Sequence, residues 1–150
     1  MNLKFTTSLF SVVTAAFMAS GVAYAEEATP NSIPGGTMVD AAKAKALHDK
    51  GAVFIDARVA AEYAEKHIKG AQNVVYKEVH KKVSKLDPKD EFALDKLPGD
   101  KAKVLVFYCN GSPCWRGYKG ADAAIKAGYK NVNWFRDGLP AWEAKGYPTE

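Results

Sequence analysis

Cysteine and histidine are scarce in this 150-residue chain, at two and three residues, and that scarcity limits metal chemistry. Cys109 and Cys114 have four residues between them and no histidine nearby, so half the ligands of a structural zinc site would go unfilled. His48, His67 and His80 are scattered and read as surface or turn positions; neither a metal nor a cofactor is expected. A block of like charge is missing as well. The formal charge of +4 comes from lysines interspersed with acids, which leaves no footprint for nucleic acid. The densest basic patch, Lys77, Lys81, Lys82 and Lys85, reads as the solvated face of a helix that could at most attract small anions. Nor is there an apolar run of spanning length. Residues 5–20 are interrupted by threonine and serine and fall short of the roughly 20 residues a helix needs to cross a bilayer.

What the N-terminus does hold is a short basic lead with Lys4, that apolar run, and Ala23-Tyr-Ala25, a small-x-small cleavage signature. Together they predict a signal peptide over residues 1–25, removed after Ala25, with no stable membrane insertion afterwards. The short basic part and the Ala-x-Ala exit point to the periplasm of a Gram-negative bacterium, where thiols can be oxidised. Roughly 125 residues remain, enough for one domain with a core and too few for two. Residues 26–36 carry two prolines, two glycines and little hydrophobicity, and read as a flexible lead-in. The domain is expected over residues 37–150.

Residues 37–39 read as a short extended piece, and Asp40 suits the N-cap of a helix over 41–50 that Gly51 ends. Val53-Phe-Ile55 is a compact apolar run, fit for a strand covered on both faces, with Asp56 at its C-terminal end. A short helix over 60–66, a turn over 67–71 and a strand over 73–75 follow. Residues 76–86 read as a helix with Val79 and Val83 inward, 87–91 as a polar loop and 92–97 as a helical turn. The strongest strand signal lies at 104–108, followed by a helix over 115–127, a strand over 131–135 and a closing helix over 138–145. Alternating strands and helices imply an α/β fold, with a central, mostly parallel sheet and helices on both faces. Ligands of such sheets gather at the C-terminal ends of the strands.

Cys109-Asn-Gly-Ser-Pro-Cys114 lies at such an end. Where a strand gives way to a helix, free backbone N–H groups favour a thiolate, so Cys109 is the candidate nucleophile. Gly111 permits an unusual backbone angle that lets amides converge, and Asn110 and Ser112 offer side-chain donors ahead of Pro113. A disulfide to Cys114 is equally open at this spacing. The two roles are compatible, because a neighbouring thiol is how sulfenic and persulfide states are resolved.

Three motifs in order carry a family resemblance. Phe54-Ile-Asp-Ala-Arg58 with Glu62 and Tyr63, then His67-Ile-Lys-Gly-Ala71 and Asn73, precede the cysteine loop; Arg136-Asp-Gly-Leu-Pro-Ala-Trp142 and Gly146-Tyr-Pro148 follow it. From about residue 37 to the C-terminus the chain resembles a rhodanese domain of the single-domain sulfurtransferase type. The resemblance implies a three-layer rhodanese-like fold. It also implies that Cys109 takes a sulfane sulfur as a persulfide from a donor such as thiosulfate and hands it to a thiol or cyanide. Two features depart from the family pattern: the loop is longer, and the neutral Asn110 follows the cysteine. The Cys114-Trp115 pair is similar to a subset of exported rhodanese-like proteins associated with periplasmic oxidation systems. That similarity brings in a thioredoxin-like or other periplasmic thiol protein as a candidate partner. Two further readings therefore stand beside sulfur transfer: a thiol redox protein using the pair, and a non-catalytic binding module locked by a Cys109–Cys114 disulfide. The family's phosphatases need His-Cys-x5-Arg so that the arginine can fork onto a phosphate. Here Tyr108 precedes Cys109, Trp115 holds the arginine position and Arg116 falls one place late, which argues against phosphatase activity.

Asp56 and Arg58, beside the expected pocket, read first as braces that satisfy loop amides and carbonyls. Arg116 is a candidate for drawing in an anionic donor, with solvent exposure as the alternative. Trp115 could wall the pocket or contact a partner, although an aromatic beside a small α/β core more often packs, while Trp134 and Trp142 are assigned to the core.

Overall fold

Alternation along the central strands builds an apolar core on two faces at once. The computed structural model describes residues 25–150, so the expected signal peptide lies outside the described residues except for Ala25. Its elements are β1 (Thr37–Val39), α1 (Ala41–Asp49), β2 (Val53–Asp56), α2 (Ala60–Glu65), β3 (Gln72–Asn73), β4 (Tyr76–Lys77) and β5 (Glu91–Phe92). A 3-10 turn (Leu94–Lys96), β6 (Val104–Tyr108), α3 (Trp115–Lys126), β7 (Asn131–Phe135) and α4 (Gly138–Ala144) complete the chain. The main sheet runs β1-β7-β6-β2-β3, every neighbouring pair parallel. Among the described residues no helix is long and apolar enough to cross a membrane.

On β6, Leu105 and Phe107 pack with Ile55, Val132, Trp134 and the α3 residues Ala121 and Ala124. Val106 and Tyr108 point the other way, to Phe54, Phe135, Ala44 of α1, and Leu139 and Trp142 of α4. Successive side chains on a strand face opposite sides, so a strand buried on both faces must be apolar at every position. That is why the run at 104–108 has no polar alternation. Asp56, Tyr108 and Phe135 are aligned across β2, β6 and β7. The chain consequently leaves three neighbouring strands at one edge, and Cys109 emerges from the middle one.

Residues 76–86 do not form the expected helix. β4 pairs antiparallel with β5, and turns follow. Asp90 gives the reason: its carboxylate accepts the Val79 amide at 2.7 Å, the Asp87 amide at 3.2 Å and the Tyr76 hydroxyl at 3.2 Å. A carboxylate that collects backbone donors in this way competes with the helical ladder. Lys82, at φ 56°, sits in the left-handed region and stops any helical run. Val83 is buried as expected, but Val79 is 48% exposed. The basic patch is therefore no helix face; Lys77 pairs with Glu91 and Lys82 with Glu26.

Residues 26–36 are likewise part of the domain and not a loose lead-in. Ile33 belongs to the α3-side core, and Thr29 is buried. The segment passes along the carboxyl-terminal edge of the sheet, where Glu27 N donates to Lys82 O at 2.8 Å and Thr29 N donates to Ser112 O at 3.1 Å. Polar composition averaged over the segment hides the single apolar anchor, Ile33, and the backbone groups that tie it down.

Candidate active site

Between β6 and α3 the chain must reverse within residues 109–114 under the first turn of α4. Leu139 N donates to Cys109 O at 3.0 Å. Gly138 lies so close above that a Cβ there would come within 2.1 Å of the same oxygen, at a φ of +57°; only glycine fits. Gly117 plays a similar part below the loop, since its Cβ would stand 3.1 Å from the Tyr108 carbonyl carbon. The loop closes on itself through Cys114 N donating to Gly111 O at 3.0 Å, with Gly111 at φ +98°.

Cys109 and Cys114 are joined as a disulfide, their Cα atoms 6.2 Å apart. The two cysteines are not equivalent in their surroundings. Cys109 is 3% exposed, whereas Cys114 is partly exposed and lines a cavity of about 270 Å³ with Glu62, Glu78, Lys81, Lys82 and Pro113. Among the described residues no cluster of histidine, cysteine and acid could hold a metal.

Several expected site residues are engaged differently from the sequence reading. Asn110 does not offer its donor to a sulfur: Nδ2 donates to Glu62 Oε1 at 2.5 Å, and Oδ1 accepts from Arg58 Nη1 at 3.3 Å. Arg116 is not a free cation at the rim, because Glu62 lies 3.3 Å from it and Glu78 3.4 Å. Trp115 packs instead of walling the cavity. Its indole N–H donates to Glu27 O at 2.8 Å and its ring meets Tyr118 edge-on at 5.3 Å. Ser112 contributes its carbonyl, which accepts from both the amide and the hydroxyl of Thr29, and Pro113 is exposed at the cavity lip.

Asp56 and Arg58 form a buried pair, with side chains 0% and 5% exposed and closest atoms 2.6 Å apart. Asp56 Oδ1 also accepts the Arg58 backbone amide at 2.9 Å, and Arg58 Nη2 donates onward to Lys66 O at 2.6 Å. Burial works against the guanidinium charge, yet the hydrogen bond and the charge of Asp56 override it and hold the Arg58 pKa above its ordinary value. Burial, with Asp56 close by, pushes the Tyr108 phenol up, so it stays neutral and its oxygen accepts the Ile68 amide at 3.1 Å.

The sequence reading missed a second layer. Lys119, 1% exposed, bonds Glu78 at 3.1 Å and the His80 carbonyl at 3.0 Å, tying the loop after β4 to α3. A lysine among the buried glycine and alanine positions of α3 is the signal that could have found it. Thr29 left no comparable signal, and Arg136 opens the closing motif with no role assigned to it there. Arg136 donates to Thr29 Oγ1 at 3.1 Å and to Thr29 O at 2.9 Å, so Thr29 links β7 to the cysteine loop. Thr29→Val keeps the shape and removes the hydroxyl, leaving a donor of Arg136 without its partner. The expected cost is about 1–3 kcal/mol, read by urea denaturation, together with faster proteolysis within residues 26–33.

Comparisons with known proteins agree with this architecture. Residues 40–145 match the family model of the rhodanese-like domain. The Alr3790 protein from Anabaena sp. is 23% identical, with a TM-score of 0.58 over 75% of this chain and 79% of that one. A thiosulfate sulfurtransferase from Pseudomonas aeruginosa is 24% identical with a TM-score of 0.57; 77% of this chain is covered, and 20% of that longer one. RPA3614 from Rhodopseudomonas palustris, described as a possible tyrosine phosphatase, is 27% identical over 77% of this chain and 85% of its own, with a TM-score of 0.56. No curated protein matches. With the family model spanning most of the chain, and the parallel sheet and its flanking helices shared with solved relatives, the protein belongs to the rhodanese-like domain family.

Proposed function

We propose that the protein is a sulfurtransferase of the bacterial periplasm in which Cys109 carries the sulfur. The observation that carries this reading is the position of Cys109. It follows the central strand β6, where ligands of parallel sheets gather, and opens the loop that leads to the N-terminus of the twelve-residue helix α3, whose N-cap is Cys114. With the disulfide opened, the Cys109 thiolate attacks the outer sulfur of a donor such as thiosulfate. An S–S bond forms to Cys109, the donor's own S–S bond breaks, and sulfite leaves with the electron pair. An acceptor thiolate or cyanide then attacks the terminal sulfur and regenerates the Cys109 thiolate. Export by the N-terminal segment accounts for the oxidised pair, since a periplasm keeps thiols oxidised.

Phosphatase chemistry, suggested by the description of one relative, lacks its arginine here. Trp115 holds that position with its indole bonded to Glu27, and Arg116 is taken up by two carboxylates. The disulfide itself favours a second reading, a non-catalytic binding module locked shut. Intact mass spectrometry separates the two. Native protein is expected to lack two hydrogens relative to the dithiol; once reduced and freed of reductant, it gains one sulfur from thiosulfate. Reduced protein that takes up no sulfur overturns the transferase reading in favour of the module.

A further inference from the structure

A disulfide is opened by attack in line with its S–S bond, and which sulfur is attacked depends on access and on the quality of the leaving thiol. In access the pair is asymmetric. Cys109 is 3% exposed, with its carbonyl under the first turn of α4 through Leu139 and with Gly138 packed against it. Cys114 instead lines a cavity of about 270 Å³ whose lip is the exposed Pro113, with room for a side chain protruding from another protein. Lys81, Lys82 and Arg116 border this cavity together with Glu62 and Glu78. The carboxylates hold Arg116 in place, so the wall beside Cys114 carries charge of both signs.

We infer that Cys114 is the docking point for an external dithiol protein that primes the site, and that Cys109 is the leaving thiol. This deepens the sulfurtransferase reading and rests on it for the purpose of priming. The first partner thiolate attacks Cys114 Sγ, forming a mixed disulfide and breaking the Cys109–Cys114 bond; Cys109 departs as a thiolate. The second partner thiol, after losing its proton, attacks its own mixed-disulfide sulfur and releases Cys114, which takes up a proton. The partner ends as a disulfide, having supplied two electrons, and Cys109 is left ready to receive sulfur. Cys114 thus protects the carrier between turnovers and gives the reductant a sulfur it can reach.

The test uses the oxidised protein and, as probe, thioredoxin whose second active-site cysteine is replaced by serine, so that the mixed disulfide persists. After quenching with iodoacetamide, peptide mapping is expected to show the probe linked to Cys114 and the alkyl group on Cys109. Linkage through Cys109, or no covalent complex at all, overturns the inference. Sulfur loading of chemically reduced protein is measured in parallel. If capture at Cys114 occurs while reduced Cys109 takes up no sulfur, the transferase reading fails and the docking assignment stands.

Discussion

Cys109→Ser is expected to abolish sulfur transfer, lowering kcat/KM for thiosulfate on the order of 10³-fold or more, as removal of a covalent nucleophile does elsewhere. A serine hydroxyl is scarcely ionised near neutral pH, and its oxygen cannot hold a sulfane sulfur as a persulfide. The substitution also removes the disulfide, and for so short a loop that costs roughly 2 kcal/mol. Cys114→Ser removes the same disulfide and so supplies the control. Its expected behaviour is the reverse: stability falls by a similar amount, but Cys109 accepts sulfur without prior reduction. Sulfane sulfur bound to the Cys109→Ser protein, or continued turnover of thiosulfate, would show that the carrier lies elsewhere. Equal loss of activity in both variants would instead assign Cys114 a direct part in transfer.

Asp56→Ala is expected to be the most damaging single change to stability, at about 3–5 kcal/mol. The cost comes less from the lost attraction than from what remains: a guanidinium with a side chain 5% exposed and no counter-charge. Several hydrogen bonds go with the carboxylate, among them the backbone amide of Arg58 and the contacts to Nε and Nη2. Arg58 also positions Asn110, so the cysteine loop is expected to loosen as the domain weakens. Urea denaturation measures the first effect. Removing both charges in Asp56→Leu/Arg58→Met is expected to recover much of the loss, because no buried charge is then left alone. A single variant within about 1 kcal/mol of the parent, inside the range of an ordinary exposed ion pair, would mean that water reaches Arg58 more readily than its burial indicates.

The residues that carried the sequence reading were those whose signals are local. The apolar run at 104–108, the Asp40 cap and the glycine after α1 each act within a few positions, and the structure has β6 at Val104–Tyr108 and Asp40 capping α1 through the Lys43 amide at 2.8 Å. Residues 76–86 defeated the same reasoning. Val79 and Val83 have helical spacing, but Asp90 takes the Val79 amide from eleven residues away, and a helical period cannot register a competitor outside its window. Arg116 was misjudged for a related reason. Its charge is plain in the sequence, but its partners are 54 residues away at Glu62 and, at Glu78, on the loop after β4.

The sequence by itself determined the class of fold, the family and the position of Cys109 at the end of the central strand. Strand and helix periods, and motifs in fixed order, are properties of neighbouring residues. Only the tertiary structure decided that Cys109 is buried while Cys114 faces a cavity, that Arg116 is held between two carboxylates, and that residues 26–36 are strapped to the cysteine loop. That strap rests on Thr29 meeting Ser112, 83 residues away, and Arg136, 107 residues away. Pairings at such separations come from the packing of the sheet and its helices, and no local pattern in the chain encodes which of two neighbouring cysteines is buried.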